Sequence, residues 1–101
     1  MARTVPKERN AELYEIIAGI STPEECFNFF NDLCSMSELR AIEQRFEVAR
    51  LLNDGQVYTD IMEKTRASSA TISRVNRVLN YGTGTLPELL DRYYNKAKEN
   101  E

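Results

Sequence analysis

Tyr58 to Leu79, YTDIMEKTRASSATISRVNRVL, is the stretch on which the reading of the whole chain turns. Ile72, Val75 and Leu79 fall at i, i+3 and i+7, which is one face of a helix. Ile61 and Met62 are placed to supply the facing contacts from a short preceding helix. Thr65-Arg66-Ala67-Ser68 lies between them, too polar and too short for anything but a turn. Ser68 or Ser69 can cap the second helix, because a serine oxygen accepts from the free N–H groups of a first turn. Ala70 is small where two helices must cross closely. The pattern predicts a helix-turn-helix.

The other face of the second helix carries Ser69, Thr71, Ser73, Arg74, Asn76 and Arg77, and Thr65 to Asn80 contain no Asp or Glu. Arg and Asn have the bidentate geometry for guanine and adenine edges, and Ser and Thr suit phosphates. A polar face by itself is ordinarily a solvated surface. Here it is joined to a short helix, a tight turn, a cap and local positive charge on an acidic chain, the combination that DNA-reading helices present.

Ala70-Thr71-Ile72-Ser73-Arg74-Val75 looks like the start of a recognition helix in many bacterial repressors. The wider stretch, from Ser35 through Arg45 to Leu79, resembles the Trp repressor superfamily, most closely its YerC/YecD-type branch. The resemblance implies an intertwined helical dimer that binds double-stranded DNA. It implies DNA contacts at Arg66, Ser68, Ser69, Ala70, Thr71, Ser73, Arg74 and Arg77. It also implies an effector pocket in which two arginines grip tryptophan, and these fall on Arg45 and Arg74. Two positions depart from the general motif: Arg66 stands where the turn often has glycine, and Met62 where the first helix often has alanine. A third departure bears on the effector. True Trp repressors have glycine after the recognition-helix arginine, and here that residue is Val75. A branched side chain would fill the space of the indole ring, so tryptophan control is not expected and a small-molecule corepressor is not called for. Arg45 then reads as structural or phosphate-binding.

With 101 residues the chain has room for one domain, 1–101, with the motif at about 58–79 and dimerisation helices at about 10–53 and 86–98. A subunit of this size buries a moderate fraction of its surface, and a partner can complete its core. The net charge is −3, but unevenly spread. Residues 11–50 hold eight acids against three bases, whereas residues 56–80 hold four bases against two acids. An acidic body with a basic reading segment fits binding through a few positioned contacts. There is no histidine, which excludes histidine-based acid–base chemistry and histidine metal ligation. With no glycine-rich phosphate loop either, the chain does not read as an enzyme, and no cofactor or metal is implied. Cys26 and Cys34, eight residues apart on one helix, are separated by about 12 Å, too far for a disulfide within it. They read as buried small apolar residues of a reducing compartment. No apolar run reaches membrane-spanning length and no signal peptide is apparent, so a soluble, cytoplasmic protein without membrane contact is expected.

Outward from the motif, Met1 to Glu8 reads as a mobile basic arm. Asn10 to Ile20 reads as a first helix with Leu13, Ile16, Ile17 and Ile20 as its stripe and Gly19 near its stop. Thr22-Pro23-Glu24-Glu25 starts a second helix, with Thr22 as cap, Pro23 at the first position and Glu25 closing a capping box. That helix, to Leu33 or Cys34, carries Cys26, Phe27, Phe29, Phe30, Leu33 and Cys34 over most of its circumference, which predicts cover from a second subunit. Ser35 and Glu38 form another capping box, opening a third helix to about Asn53 whose stripe is Leu39, Ile42, Phe46, Ala49 and Leu52. Arg40, Arg45 and Arg50 lie among acids and read as solvated. Asp54-Gly55 ends the helix. After the motif, residues 80–84 read as a loop and Thr85 to Glu88 as a third capping box. The last helix carries Leu86, Leu89, Leu90, Tyr93, Tyr94 and Ala97 on one side, before a frayed end from Lys96. No stretch alternates as a strand does, and the expectation is an all-α fold of six helices. The function expected is a sequence-specific DNA-binding regulator; the alternative is a helical protein-interaction module with a vestigial motif.

Overall fold

Six helices, and no strands, form among the described residues: α1 (Ala11–Ala18), α2 (Pro23–Leu33), α3 (Met36–Asn53), α4 (Tyr58–Thr65), α5 (Ser69–Tyr81) and α6 (Thr85–Glu99). The structure is a computed structural model that describes residues 4–99, with side chains as far as Asn95. The chain divides into two compact units, Met1–Leu39 and Arg40–Glu101.

In the first unit the sequence signals for helix ends operate almost as read. Helix α1 is shorter than read: Asn10, expected inside it, is its cap, the side chain accepting from the N–H of Leu13 at 3.3 Å, and Gly19 closes it, with Ile20 beyond its end. Thr22 accepts from the N–H of Glu25 at 3.1 Å, and Pro23 follows where its missing N–H costs nothing. The return arm of this box differs from expectation: Glu25 accepts from the N–H of Ser21, at 3.4 Å, and not from that of Thr22. The Ser35–Glu38 box is complete, at 2.8 Å and 3.2 Å in its two directions. The two Ser35 donors, backbone N–H first, hold the Glu38 carboxyl below the usual carboxylate range. Neither α1 nor α2 contains a buried residue. Phe29 and Phe30 pack edge to face at 5.6 Å between centroids, while Phe27 on another side of α2 is exposed. Both cysteines are free, and they are half-buried where burial was expected, because neither α1 nor α2 has its apolar side closed over in one copy.

The second unit holds a closed core of Val48, Ala49, Leu51, Ile61, Ala67, Ile72, Val75 and Leu90. Leu52, Tyr58, Leu79, Leu86 and Tyr94 pack against it. This corrects the expected stripe of α3. Ala49 is buried and Leu52 half-buried, but Ile42 and Phe46 are exposed, and Val48 and Leu51 take the buried positions. The helix is apolar on two adjacent sides, so periodicity alone offered two stripes and the other side closed the core. Arg50 is also not simply solvated. It is ion-paired with Glu47, its Nε donating at 3.2 Å, and its guanidinium lies 5.7 Å from the ring centre of Tyr94. That pairing holds Glu47 below its usual range and raises Arg50 above its own.

Helix α3 ends at Asp54-Gly55, where Gly55 at φ 85° donates to the carbonyl of Leu52. Helix α5 continues through Asn80 and Tyr81, two residues past the expected loop boundary, and stops at Gly82. A Cβ at Gly82 would lie 2.5 Å from the Val78 carbonyl oxygen, so glycine is required for the chain to turn back there. The third capping box is not formed as read. Thr85 lies inside α6, its N–H donating to the hydroxyl of Thr83 at 3.3 Å, and Glu88 pairs with Arg92 at 3.0 Å. Of the α6 stripe, Leu90 is buried, Leu86 and Tyr94 are half-buried, and Leu89 and Tyr93 are exposed. The Ala97 side chain lies outside the described residues, as do Met1–Arg3 of the expected arm and Asn100–Glu101 of the expected frayed end. Among the described residues no helix is long and apolar enough to cross a membrane.

Candidate nucleic-acid interface

Helices α4 and α5 and the turn between them build the predicted motif. Ile61 and Ile72 are both fully buried and Val75 is 6% exposed, so the two helices meet through the residues that the periodicity marks. Two details differ from the expectation. Met62 is exposed, leaving Ile61 as the contact from α4. Ala70 is exposed too, and the small residue buried at the junction is Ala67. The small residue that the packing needs is therefore the one in the turn, three residues before the position expected.

The turn is fixed by side chains. Thr65 donates its hydroxyl proton to the Ile61 carbonyl at 2.7 Å, and the same oxygen accepts from the N–H of Ala67 at 3.1 Å. Gln44 of α3 donates its Nε2 proton to the Thr65 carbonyl at 3.1 Å. Between these ties Arg66 adopts the left-handed conformation, φ 63°, and its N–H caps α4 by donating to Met62 at 2.8 Å. That conformation costs a non-glycine residue roughly 1–2 kcal/mol. Ser68 then caps α5, accepting from the N–H of Thr71 at 3.1 Å and donating to its hydroxyl at 3.1 Å. Ser68, not Ser69, is thus the cap.

On the outer side of this frame the structure gathers most of the residues singled out for DNA. Arg66, Ser68, Ser69, Ala70, Ser73, Arg74 and Arg77 are exposed, and Thr71 is half-buried under the Ser68 cap. The three arginines enter none of the ion pairs found among the described residues. The proposed effector residues also come together: Arg45, Arg74 and Val75 line one open cavity of about 510 Å³ with Ile42, Phe46, Val78 and Leu86. Ile42 and Phe46, exposed against expectation, form its apolar wall. Beside it a wider apolar groove runs along α6, lined by Phe46, Leu86, Leu89, Leu90, Tyr93 and Tyr94. Sequence reasoning missed Gln44 and Thr65. A threonine one turn past Ile61, at the end of a short helix, is a local signal that its hydroxyl returns to the helix. Gln44 gave no such signal, since its partner lies 21 residues away.

A family model described as Trp repressor protein matches residues 8–94. The uncharacterized protein YerC of Bacillus subtilis strain 168 is 47% identical over 81 residues, covering 80% of this chain and 78% of that protein. A crystal structure described as a candidate Trp repressor from Staphylococcus aureus has a TM-score of 0.81 at 40% identity, covering 87% of this chain and 91% of that one. The structure of a TrpR-like protein from Eubacterium eligens has a TM-score of 0.78 at 44% identity, covering 81% and 84%. With a family match that takes in all six helices up to Tyr94, and relatives that share two-fifths or more of its residues, the chain belongs to the Trp repressor family as a YerC-type member.

Proposed function

We infer that this chain is a sequence-specific DNA-binding regulator that acts as a homodimer and presents α5 to the major groove. The observation that carries the reading is the division of α5: Ile72 and Val75 anchor it in the core, and the exposed side is free of acids from Thr65 to Asn80. In this reading Ser69, Ala70, Thr71, Ser73 and Arg74 lie nearest the bases or phosphates, with Arg66 and Arg77 nearer the backbone. Self-association is supported by large apolar side chains left open in one copy, among them Ile16, Phe27 and Leu33. Two recognition helices would then address half-sites about 34 Å apart. Genomic footprinting tests the reading. Protected, roughly palindromic sites are expected, and a chain that protects none and instead holds a protein partner is an interaction module with a vestigial motif.

Tryptophan is not the effector in this proposal. Val75 lines the cavity beside Arg45 and Arg74, where glycine would leave room for the ring. The branched side chain narrows the space beside the two arginines on that wall of the cavity and removes the flat surface on which a ring would stack. Calorimetry with tryptophan, with and without DNA, should show no saturable heat; binding that tightens DNA affinity would overturn the exclusion.

A further inference from the structure

Arg66 is the non-glycine residue at positive φ among the described residues. Nothing in the arginine side chain imposes this conformation. The turn is set from both sides by Gln44 on the Thr65 carbonyl, by the Thr65 hydroxyl between Ile61 and Ala67, and by burial of Ala67. The bond that the Arg66 backbone makes among the described residues, from its N–H to Met62, glycine would make equally well without a Cβ to strain. What arginine adds is therefore its side chain. That side chain is exposed, two residues before the Ser68 cap and at the start of the acid-free stretch. A strained conformation retained at an over-determined position points to a role outside the fold.

We propose that Arg66 anchors a DNA backbone phosphate beside the groove that α5 enters, and holds that place at the expense of fold stability. The inference rests on the DNA-binding reading and deepens it. A guanidinium fork matches a phosphate in two parallel hydrogen bonds, and a contact from the turn, ahead of the helix that reads bases, fixes register without reading sequence. The residue is a positioning residue. Its removal weakens all duplexes alike and relaxes the turn.

The test compares Arg66→Gly, Arg66→Lys and Arg74→Ala with the parent. The probes are a duplex selected by the parent from a random pool and an unselected one, across a salt series, with thermal melts alongside. Arg66→Gly should melt about 4 °C higher. It should bind both duplexes about 3-fold more weakly or worse, by the same factor, with the slope of log K against log salt reduced by about one. Arg66→Lys should keep the slope and melt no higher than the parent. Parental affinity and slope in Arg66→Gly, while Arg74→Ala is weakened, would overturn the anchor and leave the DNA reading standing. So would a loss confined to the selected duplex, which makes Arg66 a base reader, or a lysine variant that loses the slope as glycine does. A glycine variant that melts lower overturns the stability trade. A parent without salt-dependent duplex binding overturns anchor and reading together.

Discussion

The two compact units start from similar material and end differently. Helices α1 and α2 have good caps, apolar stripes and a proline at the right place, and bury no residue. Helices α4 and α5, of 8 and 13 residues, are no better capped, yet Ile61 and Ile72 are sealed completely. The difference lies in what each face meets. In the second unit, α3 and α6 contribute Val48, Leu51 and Leu90 to the same cluster, so every side of the α4–α5 contact is covered. In the first, Ile16 and Phe27 are more than half exposed. Caps determine where a helix begins, but a helix as short as the eight residues of α1 is marginal in water until its apolar face is covered. The contrast separates a unit with a closed core from one whose apolar side chains the proposed dimer would have to cover.

The largest effect should come from opening the closed unit. Ile72→Ala removes a fully buried side chain and should cost about 2–5 kcal/mol, read as a lower denaturant midpoint; a loss below about 1 kcal/mol would mean that the core is looser than its burial implies. Next is the first unit. Phe27→Asp puts a charge on an exposed ring position, and a monomer should tolerate it. In the proposed dimer it should halve the sedimenting mass to 11.6 kDa at micromolar concentration. A parent that already sediments at that mass removes the dimer. Third is the outer side of α5. Arg74→Ala and Arg77→Ala should leave the melt unchanged and weaken DNA binding by about 1–3 kcal/mol for a base contact, or lower the salt slope by about one for a phosphate contact. Parental binding in both would move the function to another surface. The smallest effect concerns Glu38. Its folded carboxyl lies below its unfolded value, so the stability it adds is present above the unfolded value and fades as pH falls through the folded one. Glu38→Gln should flatten that part of the acid limb in melts across pH, and a steeper limb would contradict the cap.

Local signals were the readable part of this fold. Thr22, Ser35 and Ser68 each accept the backbone proton that helix-start chemistry assigns them, because a cap and its donors lie within three residues. Selection between equivalent stripes was not readable. Ile42 and Phe46 satisfy the period of α3 as well as Val48 and Leu51 do, and only the arrival of α5 and α6 decides between them. Most residues of the candidate interface were within reach of sequence, since exposure on α5 follows from the burial of Ile72 and Val75. The Gln44 tie was not, since a hydrogen bond between distant side chain and backbone leaves no period and no motif.

That tie has a consequence for how the family can change length. The Thr65 carbonyl is held by α3 while α3 also leads covalently into α4 through Asp54–Val57, so the two routes between the helices form a closed loop. A residue inserted in that link has to be taken up as a bulge of the loop, because α4 is already fixed at its far end by the Gln44 bond and by the burial of Ile61. An insertion in the Asp54–Val57 segment that the loop cannot absorb would cost the Gln44–Thr65 bond, and with it one of the ties that hold the turn before α5.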